Sequence, residues 1–296
     1  MATAILEQSV TAKYALYHGD CVEVMGGLPA DSVDYSIFSP PFSSLYTYSN
    51  SPRDIGNSRD YGEFFSHFDF VVAELKRVIK PGHLVSFHCM LLPSSKQMHG
   101  YIGLQDFRGD LIRAFQHHGF IFHSEVVIWK DPVTAMQRTK ALGLLHKTVR
   151  GNATMSRQGI PDYLVTMRDP RDIQERVTHN GDYPVSLWQQ VASPVWMDIN
   201  PSETLQYRSA REHDDERHIA PLQLEVIRRA VRLWTNPGDV VLSPFAGIGS
   251  EGYVALQEGR RFVGAELKAS YYRQAAANLS LAEDSGQASM FDEVPA

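Results

Sequence analysis

Val240-Val241-Leu242-Ser243-Pro244-Phe245-Ala246-Gly247-Ile248-Gly249-Ser250-Glu251-Gly252 is an apolar run that breaks into a glycine-rich turn and then opens an amphipathic stretch. The glycines fit G-x-G-x-x-G, and strand, turn, helix is the setting in which that spacing carries meaning. Without Cβ atoms at Gly247 and Gly249 a ligand can approach the backbone, and the start of the following helix, with Ser250, would face an anionic group. Glu266 closes the next apolar run, where an acid would take ribose hydroxyls. These residues point to an adenosine-containing cofactor, with NAD and S-adenosylmethionine both open. Position separates the two. A dinucleotide fold needs further strand–helix units after the fingerprint, and too little chain follows Gly252. The four residues before Gly247 also make a longer loop than a tight dinucleotide turn. The rest of the sheet must come from the N-terminal third.

That third has the required alternation. Residues 14–17 read as a short strand ending at Gly19-Asp20, and 33–38 as a second that delivers Ser39-Pro40-Pro41-Phe42. Residues 43–62 are rich in Ser, Tyr, Asn and Gly and read as a long functional loop. Phe64, Phe68, Val71, Val72, Leu75 and Val78 recur at helical spacing and predict a helix over 63–79, closed by Pro81-Gly82. A strand at 84–88, a helix at 107–118 and a strand at 120–129 follow. Residues 133–217 lose this periodicity and read as an insertion outside the sheet, with Trp188, Trp196 and Tyr207 as core anchors. Regularity returns with a helix over 222–234, then strand 240–242, helix 250–258, strand 262–265 and helix 269–281. Alternating strands and helices predict an α/β fold, a parallel sheet covered on both faces. The expected units are 1–132, 133–217, 218–281 and a disordered acidic tail, 282–296.

Ser39-Pro40-Pro41-Phe42 and Pro244-Phe245-Ala246-Gly247-Ile248-Gly249, in that order, resemble the amino-methyltransferases of DNA, which carry an [S/D/N]-P-P-[Y/F] element and an F-x-G-x-G element. Pro-Pro first, glycine-rich last and an insertion between is similar to the β-class arrangement of that family. Gly19-Asp20-Cys21, Ile128-Trp129-Lys130 and Val263-Gly264-Ala265-Glu266 extend the likeness over nearly the whole chain. The resemblance implies a circularly permuted, Rossmann-like S-adenosylmethionine (SAM) methyltransferase that acts on double-stranded DNA, with 133–217 as its inserted target-recognition region between a catalytic half (1–132) and a SAM-binding half (218–281). It places SAM against Asp20, Cys21, Pro221, Ser243, Phe245, Gly247, Gly249, Ser250 and Glu266, and catalysis on Ser39, Pro40, Pro41 and Phe42.

The chemistry suits those residues. An exocyclic amine conjugated with its base is a poor nucleophile. The Ser39 hydroxyl and Pro40 carbonyl could accept its two N–H groups, on a turn that two prolines stiffen. Phe42 offers a flat face to a base extruded from the duplex. In this family Ser at the first position leans towards cytosine N4, and Asp or Asn towards adenine N6; the expectation is cytosine N4 ahead of adenine N6. Two departures stand out. The strand before the glycine turn ends in Ser243 where the family usually has Asp, and His218-Ile219-Ala220-Pro221 lacks the lysine of His-Pro-x-x-Lys-Pro. From other classes, an NAD-dependent oxidoreductase and a protein-amide methyltransferase are the remote alternatives.

The 296-residue chain, 43% hydrophobic and 21% charged with a net charge of −6, is ordinary for a soluble globular protein and argues against one that coats nucleic acid. A local basic stretch remains: Arg138, Lys140, Lys147, Arg150 and Arg157, with no acid among residues 136–161. It is the candidate DNA contact, together with Tyr46, Tyr48 and Arg53 of the long loop. Cys21 and Cys89 are expected to be buried free thiols. His88, His117, His118 and His146 show no metal spacing and read as ordinary polar residues. No secretory signal or membrane span is expected, which places the protein in the cytoplasm with the DNA. Gln287-Ala288-Ser289-Met290-Phe291 is similar to peptides that dock on a replication sliding clamp.

Overall fold

A computed structural model describes residues 5–41, 58, 60–134, 142–179, 183–206 and 221–291. Eleven strands are present among them. β1 (Glu7–Val10), β2 (Tyr14–His18), β3 (Val33–Phe38) and β4 (Ile79–Met90) lead, and β5 (Leu92–Ser94) and β6 (Gly103–Gln105) form a separate hairpin. β7 (Ile121–Ile128), β8 (Asp162–Arg168), β9 (Val195–Trp196), β10 (Val240–Ser243) and β11 (Arg261–Glu266) follow. The main sheet has the order β1-β2-β11-β10-β3-β4-β8-β7-β9. From β2 to β4 every pairing is parallel, while β1 and β8 run antiparallel to their neighbours.

β2 and β3 are consecutive strands of the main sheet, yet β10 and β11, made last, lie between them. β10 pairs with β3 through Val241↔Tyr35 and Leu242↔Ser36, and the Ser36 hydroxyl donates to the Leu242 carbonyl at 2.9 Å. The chain leaves β10 by the helix Ser250–Gln257 towards β11, and leaves β3 by the helix Tyr61–Val78 towards β4. These connections depart in opposite directions from adjacent parallel strands. Their carboxyl ends therefore flank a crevice, the usual ligand position of an open α/β sheet.

Two apolar clusters cover the two faces. One joins Phe38, Val85 and Phe87 to the helices Cys21–Gly26, Tyr61–Val78 and Phe107–His117. Phe64, Phe68, Phe87, Phe107 and Phe115 are fully buried in it, each burial contributing about 2–3 kcal/mol. The Tyr61–Val78 helix follows its pattern: Asp60 caps it by accepting the Glu63 N–H at 2.9 Å, and the six apolar positions expected to face inward do so. The other cluster joins Tyr35, Ile37 and Val241 to the helices Leu224–Trp234, Ser250–Gln257 and Ala269–Phe291. There Arg229 is buried at 3% exposure. It pairs with Asp198 and Glu225 and lies over the Trp196 ring at 5.0 Å.

Residues 133–217 depart from expectation. β8 lies inside the sheet between β4 and β7, and β9 adds its edge, so this stretch completes the sheet instead of standing outside it. A seven-residue antiparallel strand buried on both faces has neither alternation nor a flanking helix to announce it. Trp196 anchors the core as expected, whereas Trp188 is 56% exposed. Tyr207 lies outside the described residues. The last helix runs through Phe291, past its expected end at Leu281, where a disordered tail was expected. Cys21 and Cys89 are buried free thiols. No helix among the described residues is long and apolar enough to cross a membrane.

Candidate active site

The two chain-distant turns meet at the carboxyl rim. Ser39-Pro40-Pro41 follows β3 and Pro244–Gly249 follows β10; the Phe38 and Phe245 rings lie 5.7 Å apart, centroid to centroid. Phe42 lies outside the described residues, as do Tyr46, Tyr48, Arg53, Arg138 and Lys140.

The glycine turn is held from three sides. Ala246 N–H donates to the Ala265 carbonyl at 2.9 Å, and Gly247 N–H to Glu266 Oε2 at 2.8 Å. Asn278, from the last helix, donates to the Ile248 carbonyl at 2.8 Å. Gly247 (φ +53°) and Gly249 (φ +85°) are left-handed, and a Cβ built at Gly247 meets no atom within 4 Å, so its outer side is open. Gly249 caps the Ser250–Gln257 helix. Beside that helix start the buried hydroxyls of Ser243 and Ser250 have no hydrogen-bond partner. Two orphaned hydroxyls, open space at Gly247 and a helix N-terminus fit the methionine end of SAM. Ser243, where the family usually has Asp, thus offers a hydroxyl there.

Glu266 ends β11 as expected. Its carboxylate accepts from Gly247 N–H and, through Oε1, from Lys268 N–H at 2.8 Å. It therefore braces the turn from the end of the neighbouring strand. Asp20 caps the Cys21–Gly26 helix by accepting from Val22 at 2.9 Å and Glu23 at 3.3 Å, and Gly19 N–H donates to the Glu266 carbonyl at 3.0 Å. Cys21 is buried beside it, and burial first, then the Asp20 charge, pushes its thiol pKa well up. This thiol is packing, not a nucleophile. Pro221 stands half-buried ahead of the Leu224–Trp234 helix, which packs on the Ser250–Gln257 helix.

Glu251 was legible only as an x in the glycine pattern. It is 4% exposed, and burial, aided by the nearby Glu266 charge, pushes its pKa up to about 8. A carboxyl in the first turn of this helix is thus largely neutral at neutral pH.

Around Ser39 the structure adds residues that no spacing reveals. Phe38 is in register with Phe87, so the next residues along, Ser39 and His88, stand side by side. Ser39 Oγ lies 3.1 Å from His88 Nδ1. His88 Nε2 lies 3.0 Å from Asp162 Oδ2, an ion-pair distance reached off the ideal hydrogen-bond line. Lys130 Nζ reaches the same oxygen at 2.5 Å. Asp162 opens β8 and faces both Met90 and Ile128, which is how four strands place one polar row. Burial alone would raise the Asp162 pKa; His88 and Lys130 outweigh it and hold the carboxyl below its usual range.

The basic stretch is partly described. Lys147 and Arg150 are exposed on the short helix His146–Gly151, with no acidic partner among the described residues, and Arg157 is half-buried nearby.

Residues 33–277 match the DNA methylase family that joins adenine-N6 and cytosine-N4 enzymes. The chain is 24% identical over 261 residues to the type II methyltransferase M.BglII of Bacillus subtilis, covering 86% of this chain and 66% of that enzyme. It is 23% identical over 280 residues to the DNA adenine methyltransferase YhdJ of Escherichia coli K12, covering 90% of this chain and 83% of the other. Among solved structures, the cytosine-N4-specific PvuII DNA methyltransferase superposes with a TM-score of 0.63 at 16% identity, over 96% of this chain and 95% of that one.

Proposed function

Since the chain belongs to the N6/N4 family of DNA methylases and is a SAM-dependent enzyme, we propose that its acceptor is the cytosine N4 amine of a base turned out of the duplex. The observation that carries this reading is Ser39: a hydroxyl, not a carboxylate, stands first in the Pro-Pro turn, beside the glycine turn. Bound SAM supplies a methyl group made electrophilic by its sulfonium. The protein's own part is positional. Ser243, Ser250 and the Gly247–Gly249 backbone would hold the methionine end, and Glu266 the ribose. Pro40 is buried and Ser39 half-exposed at the rim. The turn would thus offer its hydroxyl and carbonyl to the two amine N–H groups in a fixed geometry, which favours attack. Phe42 would stack on the base, and the 43–62 loop would close over it.

Residues Lys147, Arg150 and Arg157, with Arg138 and Lys140, would contact DNA phosphates. The test of the acceptor is nucleoside mass spectrometry on DNA from expressing cells. N4-methylcytosine is expected; N6-methyladenine would overturn the base assignment. A further partner is proposed for the chain's end: Gln287–Phe291 docking on a sliding clamp. Clamp recovery in a pull-down should fall for Phe291→Ala, and equal recovery ends the idea.

A further inference from the structure

We propose that the row Ser39–His88–Asp162–Lys130 is a proton relay, in which His88 receives through Ser39 the proton that the target amine must lose. The proposal rests on the reading that Ser39 faces that amine.

The chemistry requires such an acceptor. When the amine nitrogen bonds to the methyl carbon, the carbon–sulfur bond breaks and its electron pair stays on sulfur. The nitrogen is left cationic and must give up one proton. Ser39 Oγ can take it only by releasing its own, and the Ser39 oxygen is 3.1 Å from His88 Nδ1. The proton thus passes from nitrogen to Ser39 Oγ as the Ser39 proton passes to Nδ1. The sulfonium's positive charge reappears as an imidazolium beside the Asp162 carboxylate. The proton returns to water when the product leaves.

The order of the row sets the tautomer. Asp162 is 2% exposed, and the facing His88 ring and Lys130 hold it ionised against burial, so Nε2, the nitrogen that faces it, carries the hydrogen. That leaves Nδ1 bare to accept the Ser39 O–H. Ser39 then turns its lone pairs outward, as an acceptor of amine N–H. With the other tautomer Nδ1–H would occupy the Ser39 oxygen, and the hydroxyl would point a proton at the amine. Lys130 pairs with the same Asp162 oxygen and helps to keep the carboxyl in place and charged. Ser39 is the catalytic residue here; His88 and Asp162 position and unload it. The same logic ties an orienting carboxylate to a histidine in hydrolytic triads.

The experiment has two arms. In the first, ¹⁵N-histidine NMR of the wild-type protein without cofactor should show His88 with Nε2 protonated and Nδ1 bare, and Asp162→Asn should shift it towards the Nδ1–H form. In the second, single-turnover methylation should fall about 10²-fold in His88→Ala, with SAM and DNA affinities changed less than threefold, and added imidazole should restore the rate at least tenfold. His88→Asn, which can accept the Ser39 hydrogen but cannot hold a proton, should stay slow. An Nδ1–H ring in the wild type, a rate in His88→Asn equal to wild type, or a slow His88→Ala that imidazole does not rescue would each overturn the relay. If His88→Ala does not fold, the wild-type NMR arm and His88→Asn decide. A wild-type protein that methylates no DNA would instead remove the underlying functional reading.

Discussion

Replacing Glu251 by glutamine should make this protein more stable at neutral pH and above. In the folded state the carboxyl is buried at the start of the Ser250–Gln257 helix, and its pKa is lifted from an ordinary 4.5 to about 8. In the unfolded chain it ionises freely once the pH passes the ordinary value. Between those two limits the unfolded state has released a proton that the folded state still holds, so each rise in pH favours unfolding. The contribution is fully present below about pH 4.5 and is lost as pH climbs through about 8. At about 1.36 kcal/mol per pH unit, the ceiling is about 5 kcal/mol above pH 8 and about 3 kcal/mol at pH 7. Glutamine keeps the shape and never ionises, and no side chain among the described residues donates to this carboxyl. Urea unfolding of both proteins from pH 5 to 9, at matched m-values, measures the difference. The gap in favour of the glutamine protein should widen with pH and level off near pH 8. A gap that stays flat over this range would refute the reasoning, because it would mean a carboxyl already ionised in the folded protein.

Three further outcomes are expected. Ser39→Ala should lower single-turnover methylation about 10²-fold or more while DNA affinity, read by fluorescence anisotropy, stays within threefold. Gly249→Asp places a Cβ 3.2 Å from Ala275 at a left-handed residue and a new anion at the cofactor's helix start; SAM affinity by calorimetry should drop at least tenfold. Lys147→Ala with Arg150→Ala should weaken DNA binding at all sequences alike and reduce the slope of log K against log salt by about 2.

Much of this site is local in the chain, and the rest is not. Ser39-Pro40-Pro41 and Gly247–Gly249 are readable because each is a turn whose residues serve one strand end. The Tyr61–Val78 helix is readable because one of its faces is continuously apolar. His88 is different. It sits in an apolar strand like any satisfied polar residue, and only the register Phe38↔Phe87 makes it a neighbour of Ser39. Asp162 starts a strand that itself went unread, so its place opposite Met90 and Ile128 could not be anticipated. Glu251 follows the helical pattern of a surface acid, and its burial is tertiary, since the Leu224–Trp234 helix and the last helix both pack on the Ser250–Gln257 helix. Pattern reveals what a segment does by itself; adjacency across strands belongs to the sheet.

The place of β10 and β11 between β2 and β3 has a consequence for synthesis. A ribosome delivers the flanks of a central gap first and the strands that fill it last, so the growing chain carries two open edges inside its future core. Those edges cannot close until translation is nearly done, and every contact across them spans most of the chain. A premature stop just before Val240 would therefore leave a split sheet, not a shortened one, with bare backbone on both sides of the slot. Such fragments should accumulate in inclusion bodies, while the full-length product stays in solution.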